Sequence, residues 1–424
     1  MSASFLRQAL LGVLVAIVVA APARADTVTD WNALASSAVQ GAPAQGGAGQ
    51  GAVSIVHLAM VHGAMDDAVS AIEDCRRHRG SRGGSCWPPP WASEEAAAAT
   101  AAYRVLTAST PPVGIPAGQG PVLADAYATT LAAVPDGPAK QAGIAVGEIA
   151  AAAMSVARAD DGRFGPYRFP VGTRPGEWRP VLPAFVNDPG AWLKDVRPFV
   201  IPDPAWFSSR PPRPITSRAY ARDFAEVKAV GSIDSTLRTE DQTAAARFWG
   251  TANATETIGT LLRSVAEARG GSLAANARMF AAAYAHAADA LIVAWNDKAR
   301  EPFWRPITAI REAASDGNPA TEPDPEWLPL INNPPYPEHP SGLATLGGAV
   351  VRTLQDVLGT DEVAFGATSS TGVTRSYRRL SQMLDEIVDA RVWSGIHFRF
   401  ADEEGARLGR RVARWAGRHG WRDR

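Results

Sequence analysis

The chain has 424 residues and only two cysteines, Cys75 and Cys86. Two thiols alone do not complete a metal site, and two cysteines in so long a chain exclude a disulfide-dense scaffold. They flank a glycine- and arginine-rich stretch that reads as a loop, so in an exported protein the pair is expected to form a disulfide. Closing that loop would contribute about 2–3 kcal/mol. Charge of one sign is also lacking: 42 Lys and Arg against 43 Asp and Glu give a net charge of −1. With no run of Lys and Arg interleaved with aromatics, nucleic acid is not an expected partner. Past the first 25 residues no segment approaches the ~20 apolar residues of a membrane helix. Runs of alternating apolar and polar residues are absent, and so is any fixed-period repeat.

What is present begins with the N-terminus, "MSASFLRQALLGVLVAIVVAAPARAD". Arg7 makes a short positive region, Ala9 to Ala21 is apolar, and Ala23-Arg24-Ala25 fits a small-x-small cleavage site. Residues 1–25 therefore read as a signal peptide, with an uncleaved anchor as the alternative, and the protein as secreted or periplasmic. Removing Arg7 and Arg24 leaves the rest near −3. Hydrophobic residues make up 46% and charged residues 20%, the balance of a globular protein with a large core.

Residues 26–50 read as a loose lead-in. Helical spacing then runs from Ala52 to Ile72 and carries His57 and His62, read as packed or solvent-facing histidines rather than ligands. Ser93-Glu94-Glu95 opens an alanine-rich helix, its acidic first turn matching the helix dipole. Another helix is expected from Asp136 to Ala159. Residues 160–215 are dense in Pro, Gly and aromatics, long irregular structure of the kind that wraps or carries function. From about Ser217 the pattern is helical again, including a long apolar helix through "SLAANARMFAAAYAHAADALIVAWNDKA". These features predict an all-α architecture, with an N-terminal helical region over 26–215 and a C-terminal helical domain over 216–424.

Three stretches of the C-terminal part carry chemistry. In "WNDKAREPFWRPITAIR", Lys298 and Arg305 are seven apart, but Pro302 and Pro306 should break the helix and set Arg305 on a stiff turn. In "PPYPEHPSGLATLGGA", Pro340 precedes Ser341 and Gly342 at a helix start, where a hydroxyl and a backbone N–H can donate to an anion. In "DARVWSGIHFRFADEEG", Arg391 and His397 lie roughly 120° apart on a regular helix, so they converge only if Gly395 bends the chain. Each stretch alone also reads as ordinary structure: a basic helix end, a capped helix, a surface arginine with a packed histidine. Together, three cations, two neutral donors and one histidine suit a tetrahedral oxyanion bonded through one nitrogen.

These stretches resemble the signature of the vanadium-dependent haloperoxidase and type 2 phosphatidic acid phosphatase superfamily. That signature is a lysine seven before Arg-Pro, then Pro-Ser-Gly-His, then an arginine six before a histidine. The bacterial haloperoxidase branch is the nearest, as "RTEDQTAAARFWG", "DKAREPFWRPITAIR" and "VGTRPGEWRPVLPAF" also look like it. The likeness runs from about Ser54 to the C-terminus. It implies two packed helical bundles with the site in the C-terminal half. His397 would bond vanadate as metal ligand, or attack phosphorus in a phosphatase. Lys298, Arg305, Ser341, Gly342 and Arg391 would hold the oxygens, with Lys298, Arg305, Arg391 and His397 as the catalytic set. The implied partners are hydrogen peroxide with a halide or small organic substrate, and phosphate would compete as an oxyanion.

The departure is Leu343, where the family places an acid/base histidine. Leucine moves no proton, and losing such assistance typically costs ~10²–10⁴ in rate, or ~3–5 kcal/mol of barrier. His339, a water or Lys298 are the possible substitutes, although Pro340 should aim His339 elsewhere. Phe303, Trp304 and Trp393 are candidate pocket walls, or plain aromatic core. Three readings follow: a vanadate-dependent peroxidase-type enzyme, a phosphatase working through a phospho-histidine, and a non-catalytic oxyanion-binding helical protein.

Overall fold

The computed structural model describes residues 26–40, 51–78, 86–108, 115–116, 118–251, 254–369 and 371–420. The expected signal peptide, residues 1–25, lies outside the described residues. The described chain is built from α-helices: α1 (Thr27–Gln40), α2 (Ala52–His78), α3 (Glu94–Thr107), α4 (Gln119–Ala133), α5 (Pro138–Ala157), α6 (Arg218–Val230), α7 (Glu240–Thr251), α8 (Ala254–Arg269), α9 (Leu273–Arg300), α10 (Pro306–Arg311), α11 (Gly342–Leu358), α12 (Leu380–Trp393) and α13 (Arg399–His419). One antiparallel ribbon joins β1 (Glu362–Thr368) to β2 (Thr374–Arg379). The fold is thus the expected helical class. The ribbon went unread because its alternation, Phe365 and Ala367 facing in against Tyr377, lasts only a few residues. The loose lead-in expected over 26–50 is corrected for its first part, and residues 41–50 lie outside the described residues. Residues 27–40 are helical, and Val28, Trp31, Ala35, Ala38 and Val39 put a buried stripe at helical spacing on the core.

Local rules place the helix starts. Ser93, Ser217 and Ser272 each cap a helix, their hydroxyls accepting from the N–H of Ala96, Tyr220 and Ala275. Helix α9 is the spine. It is buried over most of its length, packing on α2 on one side and on α11 and α13 on the other. Helix α2 is long and apolar enough to cross a membrane by length and composition, but 89% of its most apolar window is buried inside the protein. Cys75, in its last turn, is disulfide-bonded to Cys86, with the Cα atoms 5.7 Å apart.

Residues 158–217 wrap the bundle as irregular chain, and α9 pins them. Asp289 accepts from the N–H groups of Phe199, Val200 and Ile201 at 2.5, 2.7 and 2.9 Å. Asp297 accepts from Ser209 N at 2.6 Å. The wrap also meets the turn carrying Arg305, through Trp178 N to Pro302 O and Trp304 N to Gly176 O. A second, aromatic core forms behind that turn from Tyr220, Phe224, Phe303, Trp304, Phe398 and Phe400.

His57, His62 and His286 are buried and packed. His286 shares a hydrogen bond with Thr353 at 2.9 Å, and burial lowers its pKa to about 4. A depressed histidine pKa stabilises the fold above the unfolded value near 6.5, and that stability is lost as pH falls toward 4. Between pH 7 and pH 5 this one group should cost the fold about 2 kcal/mol. Urea unfolding at the two pH values should therefore show the loss smaller by that amount in His286→Asn.

Candidate anion site

The site forms where three chain breaks meet. Helix α9 carries Lys298 and ends at Arg300. Arg305 caps α10, with Pro306 at its first position and φ −79°, ψ 156°. Ser341 caps α11 but makes no side-chain cap bond. Arg391 is in the last turn of α12, and His397 lies on the short link to α13. The bend expected between them is at Gly395, with φ +78°. Lys298, Arg305, Ser341, Arg391 and His397 are all buried.

Arg305 is the hub. Its Nε donates to Tyr336 O at 3.0 Å, and its Nη1 to Ile396 O at 2.9 Å. Nη1 also stands 3.2 Å from His397 Nε2. Guanidinium nitrogen only donates, so Nε2 is the acceptor and the imidazole proton is on Nδ1. That Nδ1–H donates to Glu338 Oε1 at 3.0 Å, and Phe398 N donates to the same oxygen at 2.9 Å. Burial first, then the charges of Arg305, Arg391 and Lys298, push the His397 pKa well down. The ring is neutral, held from behind by the Glu338 carboxyl, with a basic lone pair beside a guanidinium. Burial raises the Glu338 pKa to about 8, against the pull of Arg305.

Lys298 does something the sequence did not suggest. Its Nζ donates to the carbonyls of Pro337, Glu338 and Pro340 at 2.7, 3.2 and 2.6 Å. Burial and the Arg305 charge press its pKa down, but three carbonyls around one nitrogen are matched only by an ammonium. Lys298 is thus the cation that ties down the loop leading to Ser341. Arg391 gives Nη1 to Trp249 O at 2.9 Å. Three donors remain buried without a partner: Arg305 Nη2, Arg391 Nε and Ser341 Oγ.

Leu343 is half-buried in the first turn of α11, packed against the main core. Gly342 before it lies under Trp295, where an added β-carbon would come 3.1 Å from the ring. His339 Nε2 donates to Arg210 O at 2.8 Å, and its ring lies 5.7 Å from Phe400. One of its nitrogens is therefore committed to the wrap, while Nδ1 is buried and unpartnered. Phe303 and Trp304 belong to the aromatic core, and Trp393 is half-buried against the main core. Glu338 and Asp402 are buried acids of this region that no local pattern in the sequence marks. Among the described residues no group of three or more His, Cys, Asp or Glu is arranged for a metal cation. Besides these two acids, the buried polar groups of this region are three cations, neutral donors and one histidine nitrogen.

Residues 278–422 match the VCPO second helical-bundle domain. With the three-part motif, this makes the C-terminal part similar to that domain of the vanadium haloperoxidases, and the match covers about a third of the chain. A curated relative, the vanadium chloroperoxidase of Curvularia inaequalis, is 39% identical over 89 residues, which is 19% of this chain and 14% of that protein. The fold is shared along nearly the whole length with solved structures. The first bacterial vanadium-dependent iodoperoxidase superposes with a TM-score of 0.71 at 21% identity, over 93% of this chain and 95% of that one. A holo-type bacterial vanadium-dependent chloroperoxidase gives 0.66 at 17% identity, over 95% and 99%.

Proposed function

We propose that the protein is an exported vanadate-dependent peroxidase-type enzyme that oxidises a halide or a small organic substrate with hydrogen peroxide. One observation carries the reading: Arg305 Nη2, Arg391 Nε and Ser341 Oγ are buried and unpartnered in the region where His397 Nε2 accepts from Arg305 Nη1 alone. Leaving such donors unmet is costly, and a tetrahedral oxyanion meets all of them at once. Vanadate fits this set, with His397 Nε2 as its single protein ligand. Arg305, Arg391 and Ser341 would hold its oxygens, Lys298 would lend charge, and the Gly342 N–H adds the helix terminus. When bound, vanadate supplies Lewis-acid activation of peroxide toward attack by a nucleophile. The chain's own work is to fix the imidazole proton on Nδ1 through Glu338, to keep Nε2 unprotonated through burial and the neighbouring cations, and to neutralise the oxygens. The names of the related iodoperoxidase and chloroperoxidases support halide as substrate. Residues 1–25 and the disulfide support an oxidising compartment outside the cytoplasm.

A phosphatase reading has one observation of its own. A carboxylate behind Nδ1 is also how a histidine nucleophile is oriented toward phosphorus. The deciding experiment is to load the protein with orthovanadate, follow binding by vanadium-51 NMR, and assay peroxide-dependent bromide oxidation and aryl phosphate hydrolysis. The expected result is bound vanadate and bromide oxidation in the unmodified protein, and neither in His397→Ala. Hydrolysis without bromide oxidation would make it a phosphatase. Binding with no turnover of either kind would leave an oxyanion-binding protein.

A further inference from the structure

Asp402, in the first turn of α13, is fully buried, and neither carboxylate oxygen has a hydrogen-bond partner. No cation among the described residues forms an ion pair with it. The same turn is fastened to the anion site: Ser341 N donates to Ala401 O at 3.0 Å. A β-carbon on Gly405 would stand 2.5 Å from Ser341 O, so α13 lies directly against this loop. The Ser341 hydroxyl lies toward Asp402 and opposes the effect of burial on its proton affinity, so the two side chains face one another. Lys298, Arg305 and Arg391 all feel its charge, and Glu338 and Arg399 act on it in turn. An acid therefore stands in the wall of a cradle built for anions.

We propose that Asp402 is a further anion-binding residue: a neutral carboxylic acid that, with Ser341, presents O–H donors to an oxygen of the bound oxyanion. The inference rests on the oxyanion reading of the site. An ionised Asp402 would be a buried, unpaired charge, which costs several kcal/mol or more. It would also face the ligand's own negative oxygens. A protonated carboxyl removes both penalties and adds a donor where Lys298 has all three N–H bonds on backbone carbonyls. Burial, the largest influence on Asp402, raises its pKa well above the ordinary carboxyl value, in keeping with this form.

Tungstate, a tetrahedral dianion with no proton to lose near neutrality, is the probe, with binding measured by calorimetry at pH 7. Asp402→Asn keeps a donor and should bind within about threefold of the unmodified protein. Asp402→Leu keeps the volume but no donor and should bind roughly 10–100-fold more weakly, the range for one hydrogen bond to a charged partner. Tighter binding in both variants would mean an ionised, repelling Asp402 and would overturn the proposal. Unchanged binding in both would mean a group facing away and would overturn it equally. In the unmodified protein, infrared difference spectra on adding tungstate should show a shifted carbonyl band of a protonated carboxyl that moves on carbon-13 labelling of aspartate. Its absence counts against the proposal even if a variant misfolds. Failure of the unmodified protein to bind tungstate removes both the site reading and this inference. Binding without bromide oxidation removes only the peroxidase reading.

Discussion

Leu343→His is expected to raise peroxide-dependent bromide oxidation by roughly 10²–10⁴-fold, the usual worth of a positioned acid/base group. The side chain sits one residue after Gly342 in the first turn of α11, half-buried. Histidine is close to leucine in bulk, and position 343 is only half-buried, so the polar ring keeps some access to water. The new ring would stand at a helix N-terminus, which favours the neutral form that can accept a proton. Vanadate affinity should change far less than turnover, because the donors that hold the oxygens are untouched. The assay is steady-state bromide oxidation with vanadium-51 NMR of the bound anion. Equal turnover with vanadate bound would show that proton management in this protein does not pass through position 343.

Gly395→Ala should damage the fold and the site together. Its φ of +78° suits glycine, and any other residue pays about 1–2 kcal/mol there. The added β-carbon would also lie 2.4 Å from Gly231 O and 2.8 Å from Pro329 Cβ, neither able to swing away. Overpacking of this kind typically costs 1–3 kcal/mol, so the total is ~2–5 kcal/mol. The strain falls on the link between Arg391 and His397, and vanadate affinity should drop at least ~10-fold through misplaced donors. Gly359→Ala is the control. Its φ is +70° but nothing lies within 4 Å of the added carbon. It should lose only about 1 kcal/mol in urea unfolding and none of the affinity. Similar losses in both variants would remove the claim that crowding at Gly395 sets the site.

Some of this was legible residue by residue. Pro302 and Pro306 announced the break that leaves Arg305 as a helix cap, and Gly395 announced the bend. The Pro-Gly-aromatic stretch announced the wrap, and α9 was visible as a long apolar helix. Helix α1 was hidden because glycine and alanine beyond it diluted its apolar stripe, and the burial of Val28, Trp31, Ala35, Ala38 and Val39 on the core reveals it. The ribbon was hidden because its pairing, Phe365 with Tyr377, is made across a turn.

The sequence by itself determined that the chain is helical, where the helices break, which three stretches carry the cations and the histidine, and that position 343 has no proton to give. Those features are short-range, set by apolar period, proline, glycine and the identity of a side chain. Only the tertiary structure decided how the donors are spent. Glu338 backs His397 from 59 residues away, Lys298 gives its three hydrogens to carbonyls about 40 residues on, and His339 turns to Arg210, 129 residues back. A buried polar group takes whatever partner the packing brings within 3 Å, and no local pattern states which carbonyl or carboxylate that will be.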